Sequence, residues 1–228
     1  MIKLVIFDFD DTLIENMELD YHSFVKSSKK LNGYIPTKKE IKSLRSHGLL
    51  ASEIIDWIKN KSSQSFNKNE FKKIRNEFLQ SNTSIKYLVL RPYVKKLLFR
   101  LKSMKIKVVI VSLRKKKYTV RNFLRKKKIL NYFDEIFNAE DSVIDTRKTK
   151  NAIMIKSKLF HKVLCSYEIK PTEILSIGDS KVDLHTAKKY GVNYITITKK
   201  YIRDKYSNAK IHSFNELIKL IGKGSKIQ

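Results

Sequence analysis

LVIFDFDDTL, residues 4–13, decides how the rest of the chain is read. Four apolar residues, Leu4 to Phe7, run straight into Asp8, and two more acids, Asp10 and Asp11, follow within three positions. A short apolar run cut off by a polar residue suits a strand buried on both faces, as in a parallel sheet. Carboxylates this close repel one another unless something positive lies between them. The same ten residues therefore pose a question of fold and a question of charge.

The pattern of an apolar run ending in a polar residue occurs twice more. Val108-Val109-Ile110-Val111 leads into Ser112, and Ile174-Leu175-Ser176-Ile177 leads into Gly178-Asp179; a further strand is expected at Tyr194 to Ile197. Helical signatures come between and after them. Pro92 is placed to open a helix through PYVKKLLFRLKSM, and Tyr118 to Leu130 has helical spacing. Lys181 to Tyr190 should end at Gly191, and the last helix should start from the capping-box pattern Ser213 to Glu216 and stop near Gly222. Strands alternating with helices predict an α/β fold, a Rossmann-like doubly wound parallel sheet.

Residues 15–88 break the alternation and carry helix signals alone. These lie at Tyr21 to Leu31, after Thr37-Lys38-Lys39-Glu40, through Ile54 to Ile58 around Trp57, and after Asn67-Lys68-Asn69-Glu70. The block is too long for an ordinary connection. It is expected to form a small helical cap domain, 15–88, inserted into an α/β core of 1–14 and 89–228 and lying over the end of the sheet.

The chain has 228 residues, 42% of them hydrophobic and 31% charged, an ordinary globular composition with enough length for one core and a small accessory domain. No stretch of about 18 uncharged apolar residues occurs, which argues against a membrane span and a signal peptide. The single Cys165 excludes an internal disulfide, and no Cys/His cluster has zinc spacing, so a cytoplasmic protein is expected. The formal charge of +27 would attract phosphate-bearing ligands and raise non-specific affinity for nucleic acid. Forty of the forty-nine basic residues are Lys, however, and no aromatic-interleaved basic motif appears. The charge therefore reads more simply as solvated surface than as an RNA-binding face.

In an open parallel sheet, ligands bind beyond the carboxyl ends of the strands. Asp8, Ser112 and Asp179 each stand at such an end. The carboxylates of Asp8, Asp10, Asp179 and Asp183 would then crowd together, which is tolerable around a cation, and an all-oxygen set suits Mg²⁺. Gly178 fits a crowded turn. None of the five His residues shares a metal spacing with another.

Asp8-Phe9-Asp10-Asp11-Thr12, the strand-final Ser112, a Lys upstream of the third strand and Gly178-Asp179-Ser180-Lys181-Val182-Asp183, in this order, resemble the haloacid dehalogenase superfamily. Within it the chain resembles the phosphatase branch with a helical cap after the first strand, of the phosphoglycolate-phosphatase-like kind. The resemblance covers nearly the whole chain, least of all the cap. It implies Asp8 as the nucleophile that forms an aspartyl-phosphate, and Asp10 as general acid and then general base. It implies Mg²⁺ held by Asp8, the Asp10 backbone carbonyl, Asp179 and Asp183, and a phosphoryl oxygen bound by Ser112. It also implies a catalytic, phosphate-binding lysine about two dozen residues before Asp179. Lys156, 23 positions upstream, is preferred; Lys158, Lys150 and Lys148 are alternatives. Against Lys156, residues 151–155 read as already helical, whereas the family lysine usually opens its helix. Asp11 stands where many relatives have Gly and receives no chemistry, and Thr12 is expected to hold the loop by a hydrogen bond. Arg114 and Lys115 to Lys117 could touch a phosphate tail or simply start a solvated helix.

The expected function is a Mg²⁺-dependent phosphatase acting on a small phosphorylated metabolite. A phosphomutase is one alternative; a nucleic-acid-associated protein or polynucleotide-end phosphatase using the basic surface is another, less favoured. Monomer is the default expectation. Phosphoglycolate, a sugar phosphate and a nucleotide all stay open as substrates.

Overall fold

β1 (Leu4–Phe7) is buried along its whole length and lies at the centre of a six-stranded sheet. The computed structural model describes residues 1–142, 152–197 and 209–222. Its other strands are β4 (Lys107–Ser112), β5 (Glu135–Asn138), β6 (Ile174–Gly178), β7 (Asn193–Ile197) and β8 (Ala209–Ile211). The order is β5-β4-β1-β6-β7-β8, and every neighbouring pair is parallel. Two two-residue strands, β2 (Ile14–Glu15) and β3 (Val89–Leu90), mark where the chain leaves this core and returns.

Around the sheet run α5 (Val94–Ser103), α6 (Lys117–Lys126), α7 (Ala152–Tyr167), α8 (Lys181–Lys189) and α9 (Phe214–Gly222). One face of the core gathers Leu4, Ile6, Val109, Val111, Leu159 and Phe160 from the central strands and α7. The chain moves from β1 outward through β4 to β5 and then jumps to the other side of β1 for β6. Phe7 is in register with Ile110 of β4 and Ile177 of β6. Asp8, Ser112 and Asp179 thus emerge at one sheet edge, beside the point where the winding direction reverses.

The core occupies Met1–Glu15 and Leu90–Gln228, and a second unit spans Asn16–Val89. That unit contains α1 (Met17–Lys30), α2 (Lys38–Ser46), α3 (Ala51–Lys61) and α4 (Lys68–Leu79). Its interior is Phe24, Ile41, Ile54, Ile55, Ile58, Phe66 and Phe71. Thr37 and Glu40 complete the capping box, with Thr37 Oγ1 accepting from Glu40 N–H at 3.2 Å and Glu40 Oε2 from Thr37 N–H at 2.8 Å. Asn67 Oδ1 accepts from Asn69 N–H and Glu70 N–H at the start of α4. No described helix is long and apolar enough to cross a membrane.

Three local readings are corrected. Pro92 does not lie in the first turn of α5, because Tyr93 is left-handed at φ 66° and the helix begins after it. The helix expected to reach Leu130 ends at Lys126, and Lys128 turns left-handed at φ 58°. At α9, Glu216 Oε2 accepts from His212 N–H at 3.1 Å, one residue before the Ser213 whose N–H was expected to donate to it.

Candidate active site

The loop after β1 is set by backbone geometry that a helix or strand would not supply. Asp10 has extended angles (φ −75°, ψ 130°) and Asp11 is left-handed (φ 56°, ψ 6°). Few residue types other than Gly tolerate the left-handed region, and Asp is among them. This accounts for an aspartate at a position where Gly would also serve. Arg91 Nη2 donates to the Asp11 carbonyl at 2.8 Å and Asp8 N–H to Ile177 O at 2.9 Å, fixing the loop at both ends. Thr12 is fully buried, and its hydroxyl has no hydrogen-bond partner among the described residues, contrary to the expected loop-holding bond.

Carboxylate oxygens of Asp8, Asp179 and Asp183 lie within 4.8 Å of one another. Lys156, in the second turn of α7 and 2% exposed, donates to Asp8 Oδ1 at 2.6 Å and is ion-paired with Asp183 Oδ1. Burial opposes the Lys156 charge, but Asp183 and Asp8 outweigh it and raise its pKa, so the ammonium is held protonated. Asp8 is also pushed well above the ordinary carboxylate value. Burial is the main cause, Lys156 opposes it, and the Asp183 and Asp179 charges add to it. The pocket, even with Lys156 in place, still favours added positive charge at Asp8. Three hard oxygen donors so close suit Mg²⁺ better than a softer ion.

Asp183 is the third helical residue of α8 and closes its capping box. Its Oδ2 accepts from Ser180 Oγ at 2.5 Å and Ser180 N–H at 3.1 Å. A Cβ on Gly178 would collide with the Asp183 carboxyl carbon, so the glycine is required by that side chain's close approach. Tyr194, on β7, is buried with its hydroxyl 3.4 Å from Ser180 O. Burial, then Asp183, raises its pKa, so the phenol stays neutral.

The Asp10 carboxylate does not join the acid cluster. It turns to Arg114, whose Nε lies 3.0 Å from Oδ1 and 2.9 Å from Oδ2, with Nη2 2.6 Å from Oδ1. Ser112 is fully buried at the end of β4, and its Oγ accepts from Arg114 N–H at 3.2 Å. Of the lysine alternatives, Lys158 is exposed on α7, and Lys148 and Lys150 lie outside the described residues.

The family model for haloacid dehalogenase-like hydrolases matches residues 5–197, which include every residue of this site. The chain belongs to that family. A search of curated proteins finds no match. Among solved structures, this hydrolase is similar to a subfamily IA hydrolase of the superfamily from Geobacter sulfurreducens, at TM-score 0.72 and 17% identity, over 97% of each chain. It is also similar to CbbY from Rhodobacter sphaeroides, solved with phosphate, at TM-score 0.65 and 19% identity over 95% and 96% of the two chains. A third, named a predicted phosphoglycolate phosphatase, from Haemophilus somnus, has TM-score 0.70 and 18% identity over 96% and 98%. At these identities the likeness establishes the fold of the hydrolase.

Proposed function

We propose that the protein is a Mg²⁺-dependent phosphatase that hydrolyses a small phosphomonoester through an aspartyl-phosphate on Asp8. The observation that carries this reading is the buried Lys156 bridging Asp8 and Asp183, with the Asp179 carboxylate beside them at the carboxyl end of β1 and β6. Lys156 fixes one Asp8 oxygen, leaving the other to attack phosphorus along a defined line. The ester P–O bond breaks as the Asp8 O–P bond forms. Asp10 delivers its proton to the departing alkoxide, then takes one from the water that attacks phosphorus, and phosphate leaves with Asp8 restored. Asp8, the Asp10 backbone carbonyl, Asp179 and Asp183 would hold Mg²⁺, which when bound offsets the repulsion between Asp8 and the phosphate dianion. Ser112 uses a lone pair for the Arg114 N–H, so its own O–H is available to a phosphoryl oxygen. The helical unit would act as the cap that selects the alcohol part of the substrate.

Phosphate release from a panel of phosphomonoesters with Mg²⁺ tests the reading. Release that is abolished by a chelator and by Asp8→Asn is the expected result. A panel without turnover, or an Asp8→Asn variant with full activity, contradicts it.

A further inference from the structure

Arg114 has its main chain tied at both ends: N–H to Ser112 Oγ at 3.2 Å, and carbonyl to Ala139 N–H at 3.3 Å. Its guanidinium lies 5.4 Å from the centre of the buried Phe9 ring, with the side chain 13% exposed. Among the described residues, Asp10 is the one carboxylate it touches, and Nε and Nη2 fork across both Asp10 oxygens. The neighbouring Lys117 is occupied elsewhere, 3.3 Å from Asp141.

This geometry conflicts with the work asked of Asp10. A carboxyl that must face a leaving oxygen cannot also present both oxygens to a guanidinium, so the pair has to loosen for the proton to move. Loosening alone would leave a nearly buried cation uncompensated, which is costly. The cost is removed if another anion takes Asp10's place, and a guanidinium fork donates to the paired oxygens of a carboxylate or a phosphate alike. We propose that Arg114 determines substrate choice: it exchanges Asp10 for a second anionic group carried by the phosphomonoester, and so selects esters whose alcohol part bears a carboxylate or a second phosphate. The inference rests on the phosphatase reading above and names its substrate class.

Matched pairs test it, with phosphoglycolate against glycol monophosphate for the carboxylate arm and propanediol bisphosphate against propanediol monophosphate for the phosphate arm. The quantity read is the anionic-to-neutral ratio of kcat/KM. In the native protein it should exceed about tenfold in at least one arm, the scale of a charged group left unpaired, and it should fall to about one in Arg114→Met. The arm that shows the preference identifies the anion. A ratio that is the same in native protein and variant, or near one in both, overturns the proposal, as does an equal loss on both members of each pair, which would make Arg114 a fixed holder of Asp10. Should Arg114→Met not fold, Arg114→Lys keeps charge without the fork: a lowered ratio supports the exchange and an unchanged one overturns it. Native turnover of p-nitrophenyl phosphate, whose leaving group needs no proton, separates the two levels. If it is absent along with all other turnover, the phosphatase reading fails and takes this inference with it; if it is present and the ratios do not move, the inference alone fails.

Discussion

The helical unit and the sheet core each contain a charge cluster, and the two are built with opposite imbalance. In the helical unit one carboxylate, Asp20, receives Arg45 at 2.7 and 3.0 Å and Arg75 at 2.5 Å. Both guanidiniums also lie near the Phe24 ring, at 5.7 and 4.6 Å, and Arg45 donates to Leu49 O at 3.0 Å. The cationic excess is thus met by a ring face and a carbonyl of the unit itself. In the core, three carboxylates gather and one buried ammonium spans two of them, while Asp8 is still pushed toward its protonated form. A cluster satisfied by its own neighbours holds helices together. A cluster that continues to favour positive charge, at the sheet edge where ligands bind, is where chemistry is to be sought.

The largest way to break this contrast is Asp8→Asn, which should lower phosphate release by at least about ten-thousandfold through loss of the nucleophile, with the protein still folded by circular dichroism. Next come the two cluster centres. Lys156→Met strands Asp8 and Asp183 and should cost about 3–5 kcal/mol in denaturant unfolding without divalent ions, as well as activity. Asp20→Ala strands the nearly buried Arg75 and the partly exposed Arg45, both still facing the Phe24 ring, and should cost somewhat less, about 2–3 kcal/mol by the same measurement.

Acid titration should separate the regions by sign. Glu40, in the helical unit, has its pKa lowered from 4.5 to about 2, chiefly by the Thr37 N–H. Its contribution is present above 4.5 and lost as pH falls toward 2, so the stability gap between native protein and Glu40→Gln should shrink over that window. Asp8 is raised, so its contribution is full below 3.8 and lost as pH rises through its folded value. Without divalent ions, Asp8→Asn should therefore gain stability over the native protein as pH rises above 3.8. Unfolding curves across pH measure both. The smallest effect is expected of Asp11→Gly, because position 11 is left-handed and Gly adopts that region freely; stability should shift by less than about 1 kcal/mol and turnover little.

The sheet was legible where burial on both faces left no alternative to an apolar run. β1, β4, β6 and β7 fall where the runs predicted, within a residue or so at the ends. β5 was missed because Glu135-Ile136-Phe137-Asn138 is short and mixed, and β8 because three residues at the sheet edge carry little pattern. Lys156 was singled out by its distance to Asp179, and it is the lysine found beside Asp8, although the helix already begins at Ala152. Its approach to Asp8 is what the resemblance implied, whereas its pairing with Asp183 depended on a tertiary approach that spacing alone does not report. Along the chain Asp10 groups with the acid cluster, since nothing there shows which way a side chain turns after a strand. The Arg114 partnership was missed for the same reason, as it lay within a basic run that resembled a solvated helix start. The usable signal was positional: Asp10 stands two residues after Asp8 and Arg114 two after Ser112, at the ends of adjacent parallel strands.

An acid-quenched single turnover with a radiolabelled phosphomonoester and Mg²⁺, followed by peptide mapping, identifies the residue that takes up the phosphoryl group. Label is expected on the peptide that carries Asp8, cleaved by hydroxylamine as an acyl phosphate and absent from Asp8→Asn. Label on a peptide without Asp8, or phosphate release by Asp8→Asn at the native rate, would contradict it.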